Sequence, residues 1–163
     1  MKGTVENPLI IKNIDFKNIG ERIVGSMEVI GRLVNDGIYP GSLFDVGTIK
    51  NINLLGRTLI SHTRPEYTTG RHFAVTRERI YAVQLALEDA SNLIPVFGSR
   101  NAEKIDAILE NTGGSLPRNM KTTEGFAQGL DNLVLELIPI RDTIAMKNGN
   151  DKPVCIIVKT ASL

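Results

Sequence analysis

The stretch TIKNINLLGRTLISHT, residues 48–63, decides the fold. Leu55 and Gly56 sit at its middle, and apolar and β-branched residues flank them on both sides. Glycine supplies the backbone freedom that a tight turn demands, and β-branched side chains favour extended chain. On that reading 48–55 and 57–63 are two strands joined by a short turn, an antiparallel hairpin.

The neighbouring segments are read around this hairpin. Residues 9–16 predict a strand, with Ile10, Ile14 and Phe16 on one face. Over 20–35, Ile23, Met27, Ile30 and Val34 recur at helical spacing opposite Glu21, Gly25, Glu28 and Arg32, and Asn35-Asp36-Gly37 supplies a stop. Residues 37–47, with Pro40, Gly41 and Gly47, read as a loop. The clearest helix runs over 76–94, where Ile80, Val83, Leu87, Ala90 and Ile94 form one apolar stripe. Thr76 is suited to cap it and Pro95 to end it. A shorter helix follows over 100–110. The segment 123–138 suits a helix early and a strand late. Residues 143–147 and 153–160 flank Asn148-Gly149-Asn150-Asp151 and predict a closing β-hairpin.

The order β-α-β-β-α, followed by two helical pieces and a C-terminal β-hairpin, predicts an α+β two-layer sandwich. It is compatible with a ferredoxin-like β-α-β-β-α core carrying extra helices. With 163 residues the chain forms one domain and buries roughly two-thirds of its unfolded surface without staples.

Composition narrows the function classes. A hydrophobic share of 42% with 23% charged residues is that of a folded soluble domain. A net charge of +1 excludes a globally basic nucleic-acid binder, so any such affinity comes from a local patch. The lone Cys155 excludes an internal disulfide framework and sits in an apolar run that favours an inert buried thiol. No apolar run approaches the roughly 18 residues of a membrane span, and the opening residues lack a signal-peptide core. The expectation is a cytoplasmic protein with no membrane partner.

Cationic and titratable groups concentrate in one place. Residues 57–79 hold both histidines, His62 and His72, and five of the ten arginines: Arg57, Arg64, Arg71, Arg77 and Arg79. Glu66 and Glu78 oppose them. Three readings compete. Arginine forks at Arg64, Arg71 and Arg77, aided by Tyr67 and the amides of the following helix start, suit a nucleotide, a phosphorylated metabolite or a nucleic-acid backbone. Alternatively His62, Glu66 and His72 serve as the acid–base groups of a small lyase, isomerase or hydrolase. The plainest reading is a solvated surface, where exposed Arg–Glu pairs contribute little.

No other motif names a cofactor. GSLFDVG over 41–47 lacks the lysine and hydroxyl of a phosphate-binding loop, and no GxGxxG, HExxH, GxSxG or CxxC pair occurs. Asp45 is the carboxylate best placed in a glycine-flanked loop. NTGGSLPRN over 111–119 reads as a connection between helices. The eight aromatics are scattered singly along the chain, which offers no stacking platform for bases. Gly25 and Gly31 invite close helix approach, within one subunit or between two. A homo-oligomer, and a self-assembling shell, filament or virion component, therefore stand beside anion binding, which is the favoured reading.

Overall fold

The structure is a computed structural model and describes residues 14–41, 44, 46–61, 77–112 and 116–148. Every regular element among them is helical: α1 (Phe16–Asn35), α2 (Val46–Ser61), α3 (Arg77–Thr112) and α4 (Thr123–Asn148), with a 3₁₀ turn at Arg118–Met120. The α+β sandwich and its ferredoxin-like core are therefore wrong: no strand occurs among the described residues. Of the stretch that decided for a hairpin, residues 62 and 63 lie outside the described residues and 48–61 are the body of α2. Its buried side chains Ile52, Leu55 and Leu59 follow a helical period, not an alternation. Thr58 fits the helix by donating its hydroxyl to the Leu54 carbonyl at 2.7 Å.

Helix α1 begins where a strand was expected to end. The Asp15 carboxylate accepts from the Asn18 amide at 3.0 Å, an N-terminal cap that commits Phe16 to the helix. Residues 9–13 of that expected strand lie outside the described residues. The stop at Asn35-Asp36-Gly37 is present. Gly37 takes φ +74°, and the amides of Gly37 and Ile38 reach back to Val34 and Leu33 at 3.1 and 2.8 Å. This is a Schellman closure, which leaves few orphan carbonyls.

The helices form two antiparallel pairs. In the first, Gly20 of α1 lies against Gly56 and Ile60 of α2. A Cβ at Gly20 would stand 2.5 Å from the Gly56 carbonyl oxygen, and one at Gly56 would stand 2.9 Å from Val24 Cγ2. Gly56 is thus a helix-crossing residue, not a turn. Gly20 makes a close approach of the kind expected of Gly31, where an added Cβ would meet open space.

In the second pair α3 and α4 run antiparallel. Gln84 donates to the Val134 carbonyl at 2.8 Å, and Ser91 donates to Ala127 O and to Asp131 Oδ1 at 3.2 and 2.6 Å. Pro95 does not end α3. It is exposed, so the missing amide and the ring fall on the solvent side while the apolar stripe continues inward. The break comes at Asn101 (φ −126°, ψ 15°), whose side-chain amide donates to the Phe97 carbonyl at 3.0 Å.

Helix α4 runs through Pro139 to Asn148, so the late strand at 133–138 and the first strand of the C-terminal β-hairpin, 143–147, are both helical. Its partner strand over 153–160, with Cys155, lies outside the described residues. The start of α4 is pinned to α3. Asp106 Oδ1 accepts from both the amide and the hydroxyl of Thr123 at 2.6 Å, and Thr122 Oγ1 accepts the Gly125 amide at 3.1 Å. Asp106→Ala is expected to cost about 1–2 kcal/mol in urea denaturation, the range for a lost helix cap. Asp106→Asn keeps the accepting oxygen and should lose less.

Helix α1 joins the pairs, packing on α2, α3 and α4 and burying most of its circumference, from Phe16 through Ile23 and Ile30 to Leu33. Arg22 clamps it to α4 through a two-pronged pair with Glu136, 2.8 and 2.7 Å.

Candidate functional site

Two hollows between the helices are lined by described residues. The larger, about 280 Å³, opens between α2 and α3 and is lined by Thr48, Asn51, Ile52, Arg79, Ala82 and Val83. Thr48 belongs to the first turn of α2, and Arg79 to the first turn of α3. The hollow therefore sits near two helix N-termini, where orphan amides and the helix dipoles favour negative charge. Its floor is apolar, from Ile52 and Val83, which are both buried. Its rim is a hydroxyl, an amide and a guanidinium.

The smaller hollow, about 180 Å³, lies between α1 and α4 and includes Asp15, Asn18, Arg22, Glu136 and Pro139. Arg22 donates from Nε to Asn18 Oδ1 at 2.8 Å and from both terminal nitrogens to Glu136. With Asp15 and Glu136 on the rim, this hollow is a poor place for an anion. Chemistry thus favours the α2–α3 hollow.

Of the residues singled out from sequence, Arg77 opens α3 and is half-buried. It lies two positions before Arg79, at the same helix end as the larger hollow. His62, Arg64, Glu66, Tyr67, Arg71 and His72 lie outside the described residues, as does Asp45. The segment carrying the first six joins Ser61 at the end of α2 to Arg77 at the start of α3. Arg57 is exposed on α2.

Thr48 and Asn51 were missed as site residues, because a strand reading scattered them to opposite faces. A helical period places Thr48, Asn51 and Ile52 on one side of α2. The aromatics, single in sequence, meet in space: the Tyr39 ring lies 5.8 Å from Phe44 and 5.6 Å from Phe97. Tyr39 and Phe44 are buried, so the cluster is core and not a platform for bases. Burial pushes the Tyr39 phenol above its usual range, and its hydroxyl donates to the Ala90 carbonyl at 3.3 Å.

Among the described residues no group of three or more histidine, cysteine or carboxylate side chains is placed to hold a metal. No helix among them is long and apolar enough to cross a membrane. Compared with family models, curated proteins and solved structures, the chain matches none.

Proposed function

We propose that this protein binds an anionic ligand at the arginine-rich junction of α2 and α3. The ligand class is a nucleotide, a phosphorylated metabolite or a nucleic-acid backbone. The observation that carries the reading is the α2–α3 hollow, where Arg79, Thr48 and Asn51 line a space beside the first turns of two helices. Arg77 adds a second guanidinium at the same end of α3. An apolar floor under a polar rim suits a ligand with both a phosphate and a hydrophobic or planar part. In this reading Arg64 and Arg71 complete the anion contacts with Tyr67, and His62, Glu66 and His72 orient the ligand or move a proton. The protein works in the cytoplasm and associates with copies of itself.

The test is calorimetric titration of the purified protein with ATP and with inorganic pyrophosphate, after an ultraviolet spectrum for carried-over nucleotide. The chain has three tyrosines and no tryptophan, so a bound base would dominate near 260 nm. Arg77→Ala/Arg79→Ala is expected to weaken binding by about tenfold or more, equivalent to ~1.4 kcal/mol, while helical circular dichroism is kept. Arg64→Ala/Arg71→Ala should weaken it similarly. Absence of binding heat with both ligands, together with absence of a 260 nm band, would remove the proposal. Equal affinity in the wild type and both double variants would remove its assignment to this junction.

A further inference from the structure

Helices α3 and α4 pack chiefly on each other, with α1 against both and α2 against α3, and exposed side chains mark a face of the pair turned to solvent. On α3 the exposed positions Tyr81, Leu85, Glu88, Asp89 and Asn92 recur at three- and four-residue steps, opposite the buried Ile80, Val83, Leu87 and Ala90. On α4 Asp131 and Leu135 are exposed opposite Leu130, Leu133 and Leu137. The two stripes flank one seam. Asp131 takes the Ser91 hydroxyl across it, and Arg141 stands 6.0 Å over the Tyr81 ring.

This outer face combines two properties. Four large apolar side chains of α3 and α4 stand in water: Tyr81 is 49% exposed, Leu85 46%, Val96 63% and Leu135 62%. Acids outnumber cations beside them: Glu88, Asp89 and Asp131 stand against Arg141, whose guanidinium is held by Gln84 and Asp142 over the Tyr81 ring. From 80 to 99 and from 122 to 140 the chain contains five carboxylates and no lysine or arginine. In a molecule of net charge +1 this is a strong local asymmetry.

We propose that the outer face of the α3–α4 pair docks a cationic amphipathic helix of a partner protein. Tyr81 and Leu85, one turn apart, and Leu135 across the seam supply the apolar anchors. Glu88, Asp89 and Asp131 meet lysine or arginine on the flanks of the incoming helix. A helix laid along a two-helix seam engages such anchors at its own three- and four-residue spacing. The charge argues against the other occupants. Anionic lipid and nucleic acid are repelled by the carboxylates. A second copy apposed by a two-fold axis would bring the same acids face to face.

The test uses two labelled 20-residue peptides of identical leucine and lysine content. One has its leucines on a single helical face, and the other is scrambled to have none. Fluorescence anisotropy compares wild type, Leu85→Ala/Leu135→Ala and Glu88→Gln/Asp89→Asn. All four positions are exposed, so the variants should keep the fold, checked by circular dichroism. The expected result is wild-type affinity about tenfold higher for the amphipathic peptide. That preference should vanish in Leu85→Ala/Leu135→Ala, and Glu88→Gln/Asp89→Asn should flatten the salt dependence. Equal binding of the two peptides, or a preference that survives Leu85→Ala/Leu135→Ala, would overturn the proposal. So would concentration-dependent self-association in sedimentation that the same leucine variant abolishes, because the face would then belong to a second copy.

Discussion

Gly20→Ala will destabilise this protein by about 3 kcal/mol, whereas Gly31→Ala in the same helix will be neutral or stabilise it by about 1 kcal/mol. Taken alone, alanine is the better helix former at both positions, because glycine loses more backbone entropy on folding. Surroundings reverse the sign at Gly20. Its added methyl would sit 2.5 Å from the Gly56 carbonyl oxygen, 2.7 Å from Ile60 Cγ1 and 3.1 Å from the Ile60 amide nitrogen. Two of those three atoms are backbone, which has no rotamer to change, so α2 must move away from α1. Moving it opens space around Ile23, Leu55 and Leu59, all of which are buried. At Gly31 nothing stands within 4 Å of the new methyl. Urea denaturation of the two variants beside wild type measures both. Two changes of the same sign would mean that α1 and α2 do not cross at Gly20 and Gly56.

The same glycines explain how far the fold was legible. A glycine in an apolar, β-branched stretch has two physical meanings, a turn or a close approach between elements. Gly56 is the second kind, and only the presence of Gly20 on another helix distinguishes them. Its neighbours Thr58 and Ile60 lower local helix preference slightly, by amounts that burial of Ile52, Leu55 and Leu59 overrides. Proline misled for a related reason. Pro95 and Pro139 are both exposed within their helices. The ring and the missing amide fall on the exposed side of each helix, while Ile94 and Leu137 remain buried. By contrast, the apolar period over 20–35 and over 76–94 was long and regular, and those segments form helices within α1 and α3. Helix α1 was still read short at its start, because its Asp15 cap looks in sequence like any polar residue inside a strand.

The site was legible as composition and not as geometry. Clustering of arginines over 57–79 is visible in the chain, and Arg77 and Arg79 do stand at one helix start. That Thr48 and Asn51, some thirty positions earlier in sequence, share a hollow with Arg79 depends on the packing of α2 on α3. No periodicity within either segment reports it. The electrostatic layout is similar. A net charge near zero hides a cation-rich junction before α3 and cation-free runs along α3 and α4, two surfaces of opposite preference on one small molecule.

Tyr39→Ala should lower stability by about 4 kcal/mol, within the range for emptying a large aromatic site. Tyr39 follows the Gly37 closure of α1 and is fully buried against Phe44 and Phe97. It thereby ties the α1–α2 connection to the middle of α3. Its ring removes apolar surface from water, and its loss leaves a cavity on the side where Ala90 offers only a methyl. Aromatic contacts at 5.8 and 5.6 Å add to area burial. The hydroxyl contributes less. It donates to the Ala90 carbonyl at 3.3 Å, a long bond to an acceptor already within a helix. Tyr39→Phe should therefore cost only about 1 kcal/mol, the usual worth of one hydrogen bond. Because burial holds the phenol protonated well above its ordinary range, that difference should stay constant from pH 6 to pH 9. The unfolded phenol titrates near pH 10, so above that the folded state is the one that holds its proton. Ionisation then favours unfolding, and wild-type stability falls with rising pH while Tyr39→Phe escapes this loss. Denaturation of all three proteins at pH 7 and pH 10.5 separates packing from hydroxyl. A Tyr39→Phe cost as large as that of Tyr39→Ala would place the energy in the hydrogen bond and contradict the packing account.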